Sequence, residues 1–240
     1  MIWYVLIVFI LLLSLLLSVY MLRRTEGFAS GECEVLRRIP TENGVVEIVN
    51  STCQEGLPHT TDSETIRMTD TLWNSPRKEE ILVHERIHLD QKRAPHKWAD
   101  FYRDVWNYEL SSNPPPELPS TIVRNLRPNP DTLREPWATW RRRYVFFPVY
   151  GEEERRLARA PVKIWDTVTK SFVAIPAEWK AEFCDSRGCP HQYEHPHELA
   201  AELLTRSSAS PAANKLRANI SLLNSRYGGN SHSSDRIQSN

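Results

Sequence analysis

The chain has 240 residues, which is enough for a single domain with its own hydrophobic core. Its 30 basic and 30 acidic residues cancel, which excludes any argument from net charge for binding nucleic acid or another polyanion. Eight tryptophans and 17 prolines against only 8 glycines indicate a loop-rich domain packed with aromatic rings, and disfavour a helical bundle.

The first 22 residues form an almost unbroken apolar run that only Ser14 and Ser18 interrupt. A run of this length is typical of a helix that spans a bilayer. A cleaved signal peptide is the competing interpretation, but no basic residue precedes the run and its apolar part is longer than usual. We therefore predict a transmembrane anchor at residues 1–22, and with it a single-pass protein that contacts the membrane through this helix.

The residues that follow the run bear on which side of the membrane the rest of the chain lies. Arg23 and Arg24 come directly after it and predict that the C-terminal part is cytoplasmic. Four cysteines argue the other way, because they can form two disulfides. The possible pairs are Cys33 with Cys53 and Cys184 with Cys189. We give the arginines more weight and predict the cytoplasmic side.

Residues 23–60 are predicted to be a stalk that merges into the first strand. Within them, residues 44–50 alternate between apolar and polar side chains, which is typical of a short strand, and residues 42–44 supply a turn. The chain then approaches its most informative segment, in which residues 84–88 have the pattern H-E-x-x-H. Ser75 as the N-cap, Pro76 as the first helical residue and Pro95 as the stop predict a helix around this pattern.

The helical spacing of His84 and His88 places two imidazoles one turn apart on one face, where they can share a zinc ion. The carboxylate of Glu85 lies beside them, where it can take a proton from a zinc-bound water. The alternative interpretation is an ordinary core helix with two hydrogen-bonded histidines and a surface glutamate. The pattern is short, but its residue types are uncommon, and we favour the metal site.

Downstream of the motif, the sequence predicts several further elements. Residues 96–110 have aromatic side chains at helical spacing and predict a second helix. We expect the apolar stripe that these side chains form to pack in the core. Residues 113–119 are rich in proline and predict a stiff loop. Residues 145–150 predict a strand, and residues 162–173 predict a hairpin. The polar residues 207–240 are predicted to be a largely disordered tail, in which residues 212–227 can form a marginal helix.

A last helix is predicted from Pro196 onward. A catalytic zinc needs a third protein ligand in addition to the two motif histidines, with one position left open for water. The residues considered for that third ligand are Glu198, Glu202, His191, His195 and His197.

A separate metal site is a competing interpretation of the same region. Cys184, Cys189, His191 and His195 offer the ligand types of a structural zinc, although a local disulfide explains the two cysteines equally well.

The combination of His84-Glu85-x-x-His88 with a later Glu198-x-x-x-Glu202 resembles the gluzincin class of zinc metallopeptidases. The resemblance implies that Glu198 is the third zinc ligand. It also implies that Glu202 accepts a hydrogen bond from His84 on the side away from the metal. That class often has aspartate at the second position, so Glu202 is a departure. The implied fold is α+β: a transmembrane helix, then one zincin-like domain at residues 61–206 with a small sheet and an active-site helix.

A second, looser resemblance involves Gln91, three residues after His88, and the pattern Pro196-x-Glu198-x-x-Ala201. These features are similar to uncharacterised zincin-like proteins of large DNA viruses. The resemblance implies that the predicted cytoplasmic side would be the interior of a virion in that setting.

Two hypotheses for function follow. The first is a membrane-anchored zinc metallopeptidase that hydrolyses a peptide or protein substrate with Glu85 as general base. A donor must then stabilise the oxyanion, for which the candidates are Tyr193, His195 and Tyr144. The second is a structural, membrane-attached protein, for example a minor virion component, that retains a zincin-like core without catalysis.

Overall fold

The computed structural model describes residues 33–115, 118–127, 129–150 and 160–223. The described chain begins with a four-stranded sheet made of β1 (Val35–Thr41), β2 (Gly44–Val49), β3 (His59–Thr60) and β4 (Thr65–Thr69), in the order β1-β2-β4-β3. β1 and β2 form a hairpin, β2 and β4 are parallel, and β3 lies at one edge. Gly44 has a φ of 134°, and a Cβ there would lie 2.0 Å from the carbonyl oxygen of Glu64, so the hairpin turn requires glycine.

Three helices follow the first sheet: α1 (Asp70–Trp73), α2 (Lys78–Arg93) and α3 (Pro95–Trp106). α2 has acidic residues in its first turn and basic residues in its last, which complements the helix dipole. It begins later than predicted, because the hydroxyl of Ser75 donates to the carbonyl oxygen of Leu72 and Arg77 is the N-cap. α3 also ends earlier than predicted, at Asn107, whose φ of 58° is left-handed.

A second sheet has five strands: β5 (Tyr108–Ser111), β6 (Trp137–Trp140), β7 (Tyr144–Pro148), β8 (Val162–Asp166) and β9 (Ser171–Phe172). Each strand is antiparallel to the next one in sequence, so the sheet is a meander. β7 confirms the predicted strand, with bounds shifted toward the N-terminus, and β8 with β9 confirms the predicted hairpin. The helix α4 (Ser120–Asn125) packs through Ile122 on a small cluster that includes Val145 and Phe147.

Three more helices complete the described chain: α5 (Ala177–Phe183), α6 (Pro196–Thr205) and α7 (Pro211–Leu223). α7 confirms the helix predicted within the polar tail, with different bounds, but it is not marginal: its buried residues Ala212, Ala213 and Leu216 join the main core. Small apolar side chains permit this close packing, and the folded part therefore extends to residue 223. The rest of the predicted tail, residues 224–240, lies outside the described residues.

The main core explains the aromatic composition of the chain. Trp98, Trp106, Trp140 and Trp179 are all fully buried where α3, the second sheet and the last three helices meet. Their polar indole nitrogens are satisfied internally: for example, the Trp179 indole donates to the hydroxyl of Tyr108 at 2.7 Å. The aromatic stripe predicted for α3 is therefore confirmed as core packing.

The predicted fold class was wrong in its architecture. In place of one small sheet beside an active-site helix, the described residues form two sheets of four and five strands with seven helices distributed between them. β5 and β6 of the second sheet escaped prediction because they have only four residues each and are defined by their pairing, β5 with β6 and β6 with β7.

The prediction of a single-pass membrane protein is also corrected. Within the described ranges, no helix is both long and apolar enough to cross a membrane. The predicted anchor, residues 1–22, lies outside those ranges. In addition, both predicted cysteine pairs, Cys33–Cys53 and Cys184–Cys189, are disulfides. Disulfides are typical of oxidising compartments, which argues against the predicted cytoplasmic side.

Candidate metal centre

Three side chains from two helices converge on one point. The Nε2 atoms of His84 and His88 on α2 lie 3.1 Å apart. The Oε2 atom of Glu198 on α6 lies 3.3 Å from the first of these nitrogens and 3.4 Å from the second. Ligands about 2.0–2.1 Å from a tetrahedral zinc ion are separated by about 3.3–3.4 Å from one another. The three atoms therefore have the spacing of one face of such a tetrahedron, and they could hold a metal ion.

Helix packing produces this convergence. α2 buries Ile81, Leu82 and Leu89 against the first sheet, which turns the face that carries the two histidines toward α6. α6 begins at Pro196, with the ring of His195 accepting a hydrogen bond from a backbone N–H as its N-cap. Glu198 consequently lies in the first turn, where the helix dipole favours a carboxylate.

Gln91 fixes the hydrogen-bonding state of His88. The side-chain amide nitrogen of Gln91 donates to the hydroxyl of Tyr102 and to the carbonyl oxygen of His197, each at 3.0 Å. Its amide oxygen must then face His88, whose Nδ1 lies 2.7 Å away and donates to it. In the neutral ring, this leaves the lone pair on Nε2, the atom that faces Glu198.

Asn129 supports the carboxylate in the same way. Its side-chain amide donates to Oε1 of Glu198 at 2.6 Å, and both residues are buried. The other carboxylate oxygen is therefore left to face the histidines. Asn129 also accepts a hydrogen bond from the backbone N–H of Asp131, which fixes the loop that carries it.

The charge balance of the cluster is set by burial and by its carboxylates. Burial alone disfavours a charged His88, but Glu198 and Asp131 outweigh it and raise the pKa of His88 to about 10. Burial alone would likewise raise the pKa of Glu198, but the two histidines hold that pKa well below its usual range. In the ion-free protein, His88 therefore carries a proton that a metal ion would have to displace.

Glu85 lies beside the cluster with an unused oxygen. The residue is 3% exposed, and its Oε2 atom has no hydrogen-bond partner. A carboxylate oxygen of Glu85 lies within 4.8 Å of a nitrogen of His88 and of a carboxylate oxygen of Asp131. Burial, reinforced by Asp131, raises the pKa of the Glu85 carboxyl well above its ordinary value. A buried carboxyl oxygen without a partner calls for an explanation, and a nearby cation or water would supply one.

The cluster borders a cleft of about 680 Å³. His84, Glu85, His88 and Glu198 line it, together with residues from the segment before β3, from the start of α2 and from the loops at residues 127, 129–131 and 191–192. The edge strand β3 cannot form main-chain hydrogen bonds with an added peptide at Thr60. The backbone N–H of Thr60 donates to Asp131, and its carbonyl oxygen accepts from Lys92 at 2.8 Å.

The other predicted site residues lie elsewhere. Glu202 lines the cleft but does not support His84; its carboxylate accepts from the backbone N–H groups of His191 and Gln192 at 2.7 and 2.6 Å. None of the three candidate oxyanion donors lines the cleft. Tyr193 packs on Phe146 and Trp179, Tyr144 packs on Trp140, and His195 lies 3.0 Å from the carbonyl oxygen of Glu135.

The remaining alternatives are also placed by the structure. Cys184 and Cys189 form a disulfide, so their sulfurs are not thiolate ligands and the predicted structural zinc site is not formed. His197 lies against Tyr102, with 3.3 Å between its Nδ1 and the hydroxyl, and the side chain of His191 is exposed at the cleft.

The structure adds supporting residues that the sequence did not single out for this role. Gln91 enters the sequence analysis only through the second, looser resemblance. The position of Gln91, three residues after His88 on the same helix face, was an available signal. No equivalent signal marks Asn129, since its role depends on a contact with a helix 69 positions away.

Comparison of the chain with models of known protein families, with curated proteins and with solved structures found no match. The resemblance to gluzincins therefore stays a prediction, and the case for function depends on the geometry of this site.

Proposed function

We propose that this protein is a zinc-dependent hydrolase that cleaves peptide bonds. The observation that carries the proposal is the triangle of His84, His88 and Glu198, whose ligand atoms lie 3.1–3.4 Å apart. Two imidazoles and one carboxylate are a donor set typical of catalytic zinc, with one position left for water. The assignment of zinc follows from that donor set and spacing.

Two further features support a catalytic role over a purely structural one. Structural zinc sites are closed by four protein ligands, whereas this cluster offers three and borders a cleft of about 680 Å³. Glu85 is buried beside the cluster with a carboxyl oxygen that has no hydrogen-bond partner, which costs stability and so favours a role in the chemistry of the cleft over a role in packing.

The roles of the residues follow from their positions. His84, His88 and Glu198 would hold the ion, with Gln91 and Asn129 fixing the orientation of two of these ligands. A zinc ion there would supply a Lewis acid that makes a water more acidic and polarises a carbonyl oxygen.

Glu85 would act as the general base. It would take a proton from the attacking water as the new carbon–oxygen bond forms, and return it to the leaving nitrogen as the carbon–nitrogen bond breaks. The net reaction consumes one water and needs no other reactant.

Replacement of the proposed base tests the mechanism. We expect Glu85→Gln to bind zinc as tightly as the wild type, because its side chain is not one of the three ligands, and to lose at least about a hundredfold in turnover. Zinc content is measured on the purified chain, and turnover on a library of unstructured peptides. Glu202→Gln is the matched control, since this glutamate lines the same cleft but contacts the loop instead of the cluster.

Peptide turnover by Glu85→Gln at the wild-type rate would contradict the proposed base. Zinc binding without any peptide turnover by the wild type would instead favour the second hypothesis, a zincin-like core without catalysis.

A further inference from the structure

Arg127 lies in the wall of the cleft with its side-chain donors largely unused. Its backbone N–H donates to the carbonyl oxygen of Pro148 at 2.9 Å, which anchors the segment beside β7. Its side chain is only 15% exposed, and its Nε atom is buried without a hydrogen-bond partner. The carboxylate of Glu194 is 3.8 Å from Nη1, which is too far for a hydrogen bond. A guanidinium has five N–H donors, so this burial leaves an unusual deficit.

The other arginines that line the cleft already donate hydrogen bonds, whereas Arg127 has only the 3.8 Å ion pair with Glu194. Arg77 donates from Nε to Glu80 at 3.1 Å, and its side chain is 69% exposed. Arg206 donates to the carbonyl oxygen of Cys189 at 3.1 Å. Among the described residues that line the cleft, Arg127 is thus the arginine whose Nε is buried without a hydrogen bond, and its Nη1 has only the long ion pair with Glu194.

The location of Arg127 also relates it to the metal cluster. It precedes Asn129 by two residues in the same loop, and Asn129 donates to Glu198. A group bound by Arg127 would therefore share the cleft with the cluster. The edge strand cannot hold a peptide at Thr60, because both main-chain polar groups of that residue are occupied. At that point of the cleft, substrate binding is left to side chains in the wall.

We propose that Arg127 binds a carboxylate group of the peptide substrate, and so makes the cleft selective for peptides that carry one. The planar guanidinium can donate two parallel hydrogen bonds to a carboxylate, and partial burial strengthens that interaction. The carboxylate can come from the C-terminus of the peptide or from an aspartate or glutamate side chain. The proposal deepens the proposed function, since it names the substrate class of the same cleft.

Binding is measured so that turnover is not required. The full-length Glu85→Gln variant is used, so that bound peptides are not cleaved. It is measured with zinc and without zinc, because a carboxylate could also coordinate the metal, and this must be separated from binding by Arg127. Three pools of N-acetylated random hexapeptides are compared by equilibrium dialysis. The first pool has free C-termini and no acidic side chains, the second has amidated C-termini and includes aspartate and glutamate, and the third has amidated C-termini and no acidic side chains.

We expect one of the first two pools to bind about ten- to a hundredfold more tightly than the third, and the pool that does so identifies the source of the carboxylate. Arg127→Gln should abolish the difference. Arg127→Lys should retain part of it, because it keeps the charge and loses the paired donors. Arg77→Gln is the matched control, with the same change in charge at the same cleft, and should retain the difference in full.

Equal binding of all three pools by the protein with Arg127 intact would overturn the proposal, as would a preference that survives in Arg127→Gln. If Arg127→Gln does not fold, the comparison of pools and the Arg127→Lys variant decide the question. A protein that binds carboxylate peptides in this way but neither binds zinc nor cleaves peptides would contradict the proposed function and leave this inference standing.

Discussion

Replacement of Gln91 by methionine tests whether the contacts behind the metal cluster matter as the geometry indicates. Methionine is similar in volume, so the change removes hydrogen bonds without leaving a large cavity. It breaks the 2.7 Å contact with Nδ1 of His88 and the 3.0 Å contacts with the carbonyl oxygen of His197 and with the hydroxyl of Tyr102. The Tyr102 hydroxyl keeps its 3.3 Å contact with Nδ1 of His197, so the contacts with His88 and with the His197 carbonyl are the two whose loss leaves a buried group short of a hydrogen bond.

The expected magnitudes follow from these two contacts. Each polar group left unsatisfied costs about 1–3 kcal/mol, so the ion-free Gln91→Met protein should lose about 2–6 kcal/mol of its free energy of unfolding. His88 also loses the acceptor that fixes its tautomer, and loss of such a contact lowers metal affinity about 10–100-fold. The stabilisation that a fixed excess of zinc confers should fall by about 1.4–2.8 kcal/mol.

The assay combines urea unfolding, with and without zinc, and zinc affinity from competition with a chromophoric chelator. Tyr102→Phe is the control, because it removes one acceptor of the Gln91 amide but leaves the contact with His197 that orients it. We expect this variant to keep its zinc affinity within about threefold of the wild type. Wild-type affinity in Gln91→Met, or an equal loss in Tyr102→Phe, would refute the reasoning.

Two further predictions concern protons and disulfides. Because nearby carboxylates hold the pKa of His88 at about 10 in the ion-free protein, zinc binding at pH 8 should release about one proton. Below that pKa, the logarithm of the zinc affinity should rise by about one for each unit of increase in pH. Calorimetry in buffers of different ionisation enthalpy measures the number of protons released, and a release of no protons would contradict this prediction. Replacement of Cys33 and Cys53 by alanine should lower the free energy of unfolding by about 3 kcal/mol, since their separation is 20 residues, against about 2 kcal/mol for Cys184 and Cys189 at a separation of 5. Equal losses in urea unfolding would contradict the loop-closure argument.

The parts of the site that the sequence predicted are those with a local signal. The spacing of His84 and His88 requires only that the segment is helical, and the dipole-matched charges and the proline after it make it so. Glu198 was reached through resemblance, because no local pattern says which later helix faces the motif. Its convergence on the histidines depends on the packing of α2 between the first sheet and α6.

The parts that escaped prediction depend on long-range contacts. Arg127 and Asn129 reach the cleft because a bridge between Leu126 and Val149 ties their loop to the end of β7. Tyr144 and Tyr193 pack against aromatic rings of the same sheet. They therefore lie away from the cleft in which the sequence predicted them as candidate oxyanion donors. Alternation and turn chemistry identify strands such as β7, but they do not say which side chains a meander will bring to a distant helix.

Anomalous X-ray diffraction at the zinc absorption edge, from crystals of the full chain grown with zinc, tests the proposed metal site itself. We expect a strong peak about 2.0–2.1 Å from Nε2 of His84, Nε2 of His88 and Oε2 of Glu198, with Glu85 outside the coordination sphere. A zinc-saturated crystal with no peak between these three atoms would contradict the proposed site.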